Sequence, residues 1–238
     1  MIAFACIAPH GDVASPPELQ AAMEELGRRF EASGCETAII VTPHNVHVEG
    51  HYAVVTAGRV GSHETDRGLA AALVEAIRGD GLPVVGVSYG GNDAAGAEHP
   101  LDWGTEVPLD FVRAQRIVVV SPARDRPLAE HIRLGEVIAA ATGNRSVALV
   151  ASADHAHAHD AAGPYGFDEA AARYDELFLA LLGRETLDFV PLAELVDAAK
   201  ADSLWQLLVL QGAVAGGAEL LVYAAPTYYG MAVAIAAA

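Results

Sequence analysis

Two histidines close two apolar runs in the same manner. Ile2-Ala3-Phe4-Ala5-Cys6-Ile7-Ala8 leads into Pro9-His10-Gly11-Asp12, and Thr37-Ala38-Ile39-Ile40-Val41 leads into Thr42-Pro43-His44-Asn45. Imidazole is the commonest metal ligand that a protein offers. Two imidazoles and one carboxylate on one face of an ion leave its other positions open. That arrangement suits non-haem Fe(II), which must take substrate and dioxygen together. Similar donors also hold catalytic zinc. Asp202, in Ala201-Asp202-Ser203-Leu204-Trp205, is the carboxylate candidate, although it also reads as an ordinary helix N-cap. Glu219 reads as a strand-edge residue and Asp12 as turn chemistry.

A third group follows another apolar run. Ser146-Val147-Ala148-Leu149-Val150 precedes Ser152-Ala153-Asp154-His155-Ala156-His157-Ala158-His159-Asp160. In an extended stretch, alternation sets His155, His157 and His159 on one side. A histidine titrating near neutrality there suits proton transfer; the other reading is a solvated or zinc-scavenging tract. His47, His51, His63 and His131 have nothing converging on them and read as ordinary surface or core histidines.

These groups need a scaffold, and the chain alternates strand-like and helix-like segments throughout. Helices are expected from Pro16-Pro17 to about Ala32, over Thr65–Ile77, Leu128–Ala141, Asp168–Leu182 and Ser203–Val214. Strands are expected at His51–Thr56, Pro83–Ser88, Arg116–Val120, Ser146–Val150 and Glu219–Tyr223, besides the two that end at His10 and His44. The β-branched runs at Arg116–Val120 and Ser146–Val150 suit strands covered on both faces. The pattern predicts one α/β three-layer domain over residues 1–238, with a mostly parallel or mixed central sheet. Ligands of such sheets collect outside the carboxyl ends of the strands. Gly90–Gly96 reads as a flexible loop ahead of a polar, aromatic segment, His99–Glu106.

With 31 acidic against 14 basic residues, the net charge is −17. Neither nucleic acid nor an anionic membrane is an expected partner of such a chain. There is no apolar run of about 18 residues to span a membrane, and the N-terminus lacks a basic region before its apolar run, so no signal peptide is expected. Cys6 and Cys35 read as buried reduced thiols of a cytoplasmic protein.

Taken together, these segments resemble the class III extradiol dioxygenases, the LigB-like superfamily of the protocatechuate 4,5-dioxygenase beta subunit. The resemblance spans most of the chain. Its parts are Ala8-Pro9-His10, Thr42-Pro43-His44, the segment His99–Leu109, the Ser152–His159 run with Gly163–Asp168, and Trp205 with Gly212-Ala213. It implies that His10 and His44 hold Fe(II), with Zn or Mn as the alternatives, together with a carboxylate shortly before Trp205. Counting back from Trp205, the family's glutamate falls near Ala201, which cannot ligate; Asp202 is the nearest acid. Of the three clustered histidines, His157 matches the acid–base position best, with His155 and His159 as rivals. The family's Asp-His-Gly pattern is Asp102-Trp103-Gly104 here, and His99 is the candidate to replace the missing histidine. Tyr165, Tyr228 and Tyr229 are candidates to line a ring-binding pocket.

The resemblance implies a ring-opening dioxygenase that takes a small catechol or aminophenol and dioxygen. It also implies a homo-oligomer or a small second subunit. Two other readings remain open from sequence. One is a Memo-like, non-enzymatic metal-binding or signalling protein of the same fold. The other is a zinc hydrolase, which the absence of a His-Glu-x-x-His motif weakens.

Overall fold

The computed structural model describes residues 1–237. Its strands are β1 (Ile2–Ala8), β2 (Thr37–Val41), β3 (Tyr52–Val55), β4 (Arg59–Val60), β5 (His63–Thr65), β6 (Val84–Val87), β7 (Glu98–His99), β8 (Arg116–Ser121), β9 (Val147–Ser152), β10 (Ala218–Ala224) and β11 (Met231–Ala236). Its α-helices are α1 (Pro17–Ser33), α2 (Arg67–Gly79), α3 (Trp103–Leu109), α4 (Leu128–Ala141), α5 (Ala170–Leu182), α6 (Val196–Ala199) and α7 (Leu204–Ala213). A 3₁₀ turn covers Val190–Glu194.

All eleven strands join one mixed sheet, in the order β10-β11-β1-β9-β2-β8-β5-β4-β7. Strand β3 pairs with the end of β8 and carries β6 outward. The centre is four parallel strands, β1-β9-β2-β8. Every residue of β2 and β9 is buried, as expected of strands covered on both faces. Alternate side chains feed two cores. Ile7, Ile39, Val118 and Leu149 face α2, α4, α5 and α7, whereas Cys6, Ile40, Val119 and Val150 face α1. This is the three-layer α/β/α arrangement read from the alternation of segments.

Helices α4 and α7 pack closely through two glycines. A Cβ on Gly135 would lie 2.0 Å from the Val209 carbonyl oxygen, and one on Gly212 would lie 1.8 Å from that of Ile132. Only hydrogen fits at either position. The close crossing matters because α7 begins immediately after Asp202 and Ser203.

Several elements differ from the sequence reading. The polar, aromatic segment from His99, to which the sequence pattern assigns no element, contains α3, which Asp102 caps by accepting from the Thr105 amide. The alanine-rich end forms β11, inserted antiparallel between β10 and β1. Alanine has little intrinsic preference for a strand, and pairing on both edges is what holds β11. Strands β4, β5 and β7 are two or three residues long and carry no period to read.

Candidate metal centre and cleft

The parallel register brings three strand ends level. Ala8 of β1 pairs with Ser152 of β9, and Val41 of β2 pairs with Ala151. Strand β9 therefore lies between the strands that carry His10 and His44. Two strand spacings separate those strands by about 9.6 Å. The loops after them must bend inward, over the end of β9, for the two rings to meet, and they do. His10 Nε2 and His44 Nε2 lie 3.0 Å apart, with the rings nearly perpendicular. Asp202 completes the group from the loop before α7. Its Oδ2 lies 3.3 Å from His44 Nε2 and 3.5 Å from His10 Nε2.

The surroundings fix how His10 presents itself. The Ser152 hydroxyl donates to the Gly104 carbonyl. Its oxygen is therefore the acceptor for His10 Nδ1–H, at 3.0 Å. That bond selects the tautomer whose Nε2 carries a lone pair into the cluster. The His10 amide donates to Asp154 Oδ1 at 3.0 Å, which holds the loop against β9. Asp154 thus supports the His10 backbone, while Asp12 serves its own turn by accepting from the Ala14 amide.

His44 is held from the other side. Asp102 accepts from Thr42 Oγ1, Thr105 Oγ1 and Asn45 Nδ2, tying the exit of β2 to the start of α3. A Cβ on Gly104 would lie 2.3 Å from Thr42 Oγ1 and 3.3 Å from the His44 ring, so this approach also requires glycine. Trp103 covers His44 with the ring centroids 4.4 Å apart.

Charge balance in the cluster is tight. Burial opposes the charged form of His10, but Asp154 and Asp202 outweigh it and raise its pKa to about 8. Burial likewise opposes the Asp202 carboxylate, yet hydrogen bonding from His10 and His44 holds it well below the usual range. Asp154 is shifted upward by burial, against the pull of His10.

A divalent metal ion fits this group of residues. Two bare nitrogen lone pairs at 3.0 Å repel unless a proton or a cation lies between them. Asp202 Oδ1 is buried without a partner. Ligand atoms about 2.1 Å from one ion and at right angles to each other stand about 3.0 Å apart, close to the three separations seen. His10, His44 and Asp202 are able to serve as three ligands on one face.

The clustered histidines do not share one side. His157 lines a cleft of ≈ 330 Å³ together with His44, Asp202, Tyr165 and Trp205. Its Nδ1–H donates to the His155 carbonyl at 2.8 Å, which leaves Nε2 as the free nitrogen. Tyr229 stacks on its ring at 5.5 Å, and the Tyr229 hydroxyl accepts from the Asp12 amide in the loop after His10. His155, by contrast, is fully buried against Phe178, with Nδ1 3.2 Å from Ser203 Oγ, and burial lowers its pKa to about 4. It does not line the cleft. His159 pairs with Asp175 at 2.7 Å, which also receives the Tyr223 hydroxyl. The three side chains meet different groups, Ser203 for His155, the His155 carbonyl for His157 and Asp175 for His159.

His99 is also outside the cleft lining. It lies on β7 and its Nε2–H donates to Asn45 Oδ1 at 2.9 Å, so it touches the neighbour of His44. The acid one position after Ala201 reaches the cluster, and Ser203 occupies the N-cap position of α7, so Asp202 is not the helix cap that its sequence position suggests. Sequence reasoning passed over Ser152, whose only signal was its position at the strand end, and the cleft residues Arg124 and Lys200.

Fold and site together define a three-layer α/β protein with a two-histidine, one-carboxylate cluster at the ends of its central parallel strands. The model of the LigB family, described as the catalytic LigB subunit of aromatic ring-opening dioxygenase, matches residues 14–236, and the chain belongs to that family. His10 lies just ahead of the matched segment. Among solved structures, an uncharacterized protein, JW3007 from Escherichia coli K12, is similar over 99% of both chains with a TM-score of 0.71 and 18% identity. That likeness is one of fold. No curated protein matches the chain significantly.

Proposed function

We propose that this protein is an Fe(II)-dependent extradiol dioxygenase that opens the ring of a catechol or aminophenol. The observation that carries the reading is the convergence of His10, His44 and Asp202 on one face, opening into a cleft that His157 also lines. LigB family membership supports the same class of reaction.

In this reading His10, His44 and Asp202 hold the ion. Held by these residues, a ferrous ion would supply the redox chemistry that couples a catecholate to dioxygen, which the protein's own groups cannot do. The net reaction adds both oxygen atoms to the substrate, breaks the ring bond beside the diol, and releases a ring-opened semialdehyde. The chain's residues bind, orient and move protons. Ser152 keeps His10 in the ligating tautomer. His157, with Nδ1–H engaged by a carbonyl, has Nε2 available to take a proton from the diol and return it later. Tyr165 and Trp205 supply flat apolar surface for a ring.

The test is oxygen uptake by protein loaded anaerobically with Fe(II), across a panel of catechols and aminophenols, with product followed by its yellow colour. Consumption of one O₂ per ring opened is the expected result. No uptake from fully Fe(II)-loaded protein with any of them would overturn the reading.

A further inference from the structure

Asp175 is a buried carboxylate that the proposed chemistry leaves unused. It sits on α5, 2% exposed, and does not line the cleft. Its two oxygens have different partners. Oδ2 accepts from the Tyr223 hydroxyl at 2.6 Å and from His159 Nε2 at 2.7 Å. Oδ1 accepts from the Ala156 amide at 3.1 Å. That N–H shares one peptide unit with the His155 carbonyl, which accepts Nδ1–H of His157 at 2.8 Å. Carboxylate and imidazole are thus joined head to tail through a single planar peptide. Gly230 clamps the same pair of residues, accepting from the His155 amide at 2.7 Å and donating to the Ala156 carbonyl at 3.0 Å. A Cβ on Gly230 would collide with Asp175 Oδ2, so the carboxylate fits only beside glycine.

We infer that Asp175 is a positioning residue for His157, acting through the peptide between His155 and Ala156. This deepens the proposed function and rests on it for the role of His157 in moving protons. An anionic acceptor on the N–H side polarises the peptide and makes its carbonyl a stronger acceptor, by about 10–30% per bond. Two consequences reach the cleft. The imidazole is held as its Nδ1–H tautomer, because the bond made at one ring nitrogen decides which nitrogen carries the proton. Electron density is also pushed toward Nε2, the free nitrogen that would take the proton. The arrangement has the logic of a carboxylate bonded directly to an imidazole base, with one peptide interposed. Tyr223 and His159 restrain Oδ2 and so leave Oδ1 to the Ala156 amide. A purely structural Asp175 would stitch α5 to this segment and leave the His157 ring indifferent to its charge.

The experiment reads the His157 ring by NMR in metal-free protein carrying isotope-labelled histidine, beside kcat and KM of the Fe(II)-loaded protein with its best catechol. In the wild type the Nδ1–H tautomer is expected, with that proton at low field. Asp175→Asn keeps the volume and an acceptor oxygen but loses the charge. Its His157 Nδ1–H resonance is expected to move upfield, and kcat to fall about tenfold with KM unchanged within about twofold. Asp175→Ala removes the acceptor, so the Nε2–H form is expected to replace the Nδ1–H form, with kcat reduced about 100-fold. Tyr223→Phe frees Oδ2 alone and is expected to fall between the wild type and Asp175→Asn. If Asp175→Ala does not fold, Asp175→Asn and Tyr223→Phe carry the test. Unchanged His157 resonances in Asp175→Asn, or a raised KM in place of a lowered kcat, overturn the inference. If the resonances respond as expected while no catechol or aminophenol drives oxygen uptake, this inference stands and the ring-cleavage reading falls. If uptake is brisk and the His157 ring ignores the loss of Asp175, the reverse holds.

Discussion

His10 and His44 meet Nε2 to Nε2 at 3.0 Å across the end of β9, a strand to which neither belongs. The contact depends on strand order. Were β1 and β2 neighbours, their exit loops would have no reason to turn toward each other, and Ser152 would not lie beneath His10.

The first prediction concerns the ligands and their support. His10→Ala, His44→Ala and Asp202→Ala each leave two ligands, and metal content after dialysis is expected to fall below one tenth of the wild type. Ser152→Ala retains all three ligands but frees the His10 tautomer, and is expected to weaken metal affinity about 10- to 100-fold. Equilibrium titration with Fe(II) or Zn(II) measures both. Stoichiometric metal in His10→Ala would remove it from the ligand set.

The clustered histidines separate by role. His157→Ala is expected to keep its metal and lose turnover by about 10²- to 10⁴-fold, because the group that would move protons is gone. His155→Leu is expected to affect folding stability instead, since His155 is fully buried and away from the cleft. Metal analysis, kcat and thermal melting on the two variants distinguish the outcomes. Turnover lost through His155 with His157 dispensable would reverse the assignment.

His10 and His155, both buried, give opposite pH dependences. His155 is shifted down to about 4, so below pH 6.5 the unfolded chain takes a proton that the folded chain refuses. Stability is expected to decline as pH falls from 6.5 to 4, by roughly 3 kcal/mol from this group, and the decline is expected to shrink in His155→Leu. His10 is shifted up to about 8 without metal, so its contribution is complete below pH 6.5 and disappears as pH rises through 8. The same proton competes with a metal ion, and apparent metal affinity is expected to rise with pH up to about 8. Denaturant melts and metal titrations at a series of pH values check both.

The α4–α7 crossing sets where Asp202 lies, because α7 starts directly after it. Gly135→Ala forces a methyl group against the Val209 carbonyl in that crossing. A loss of about 3 kcal/mol is expected, the upper range for overpacking, together with weaker metal binding. A variant that melts like the wild type and binds metal normally would show that the crossing yields without moving Asp202.

The sequence by itself determined the fold class and two of the three members of the cluster. Apolar, β-branched runs specify strands covered on both faces wherever they occur, and Pro-His at their ends advertises ligands at the edge where α/β sheets bind them. Local spacing could go no further. Whether Asp202 or a residue beside it reaches the cluster depends on the axial position of α7, which Gly135 and Gly212 fix against α4 from far away in the chain. Which of His155, His157 and His159 enters the cleft depends on Phe178, Ser203, Asp175 and Tyr229, none of them adjacent in sequence. Strand β11 exists because both its edges are paired, a condition that an alanine-rich segment does not announce. Periodicity is a property of neighbours along the chain, whereas strand order, helix depth and loop partners are decided by contacts between distant residues, and those contacts chose the side chains that meet.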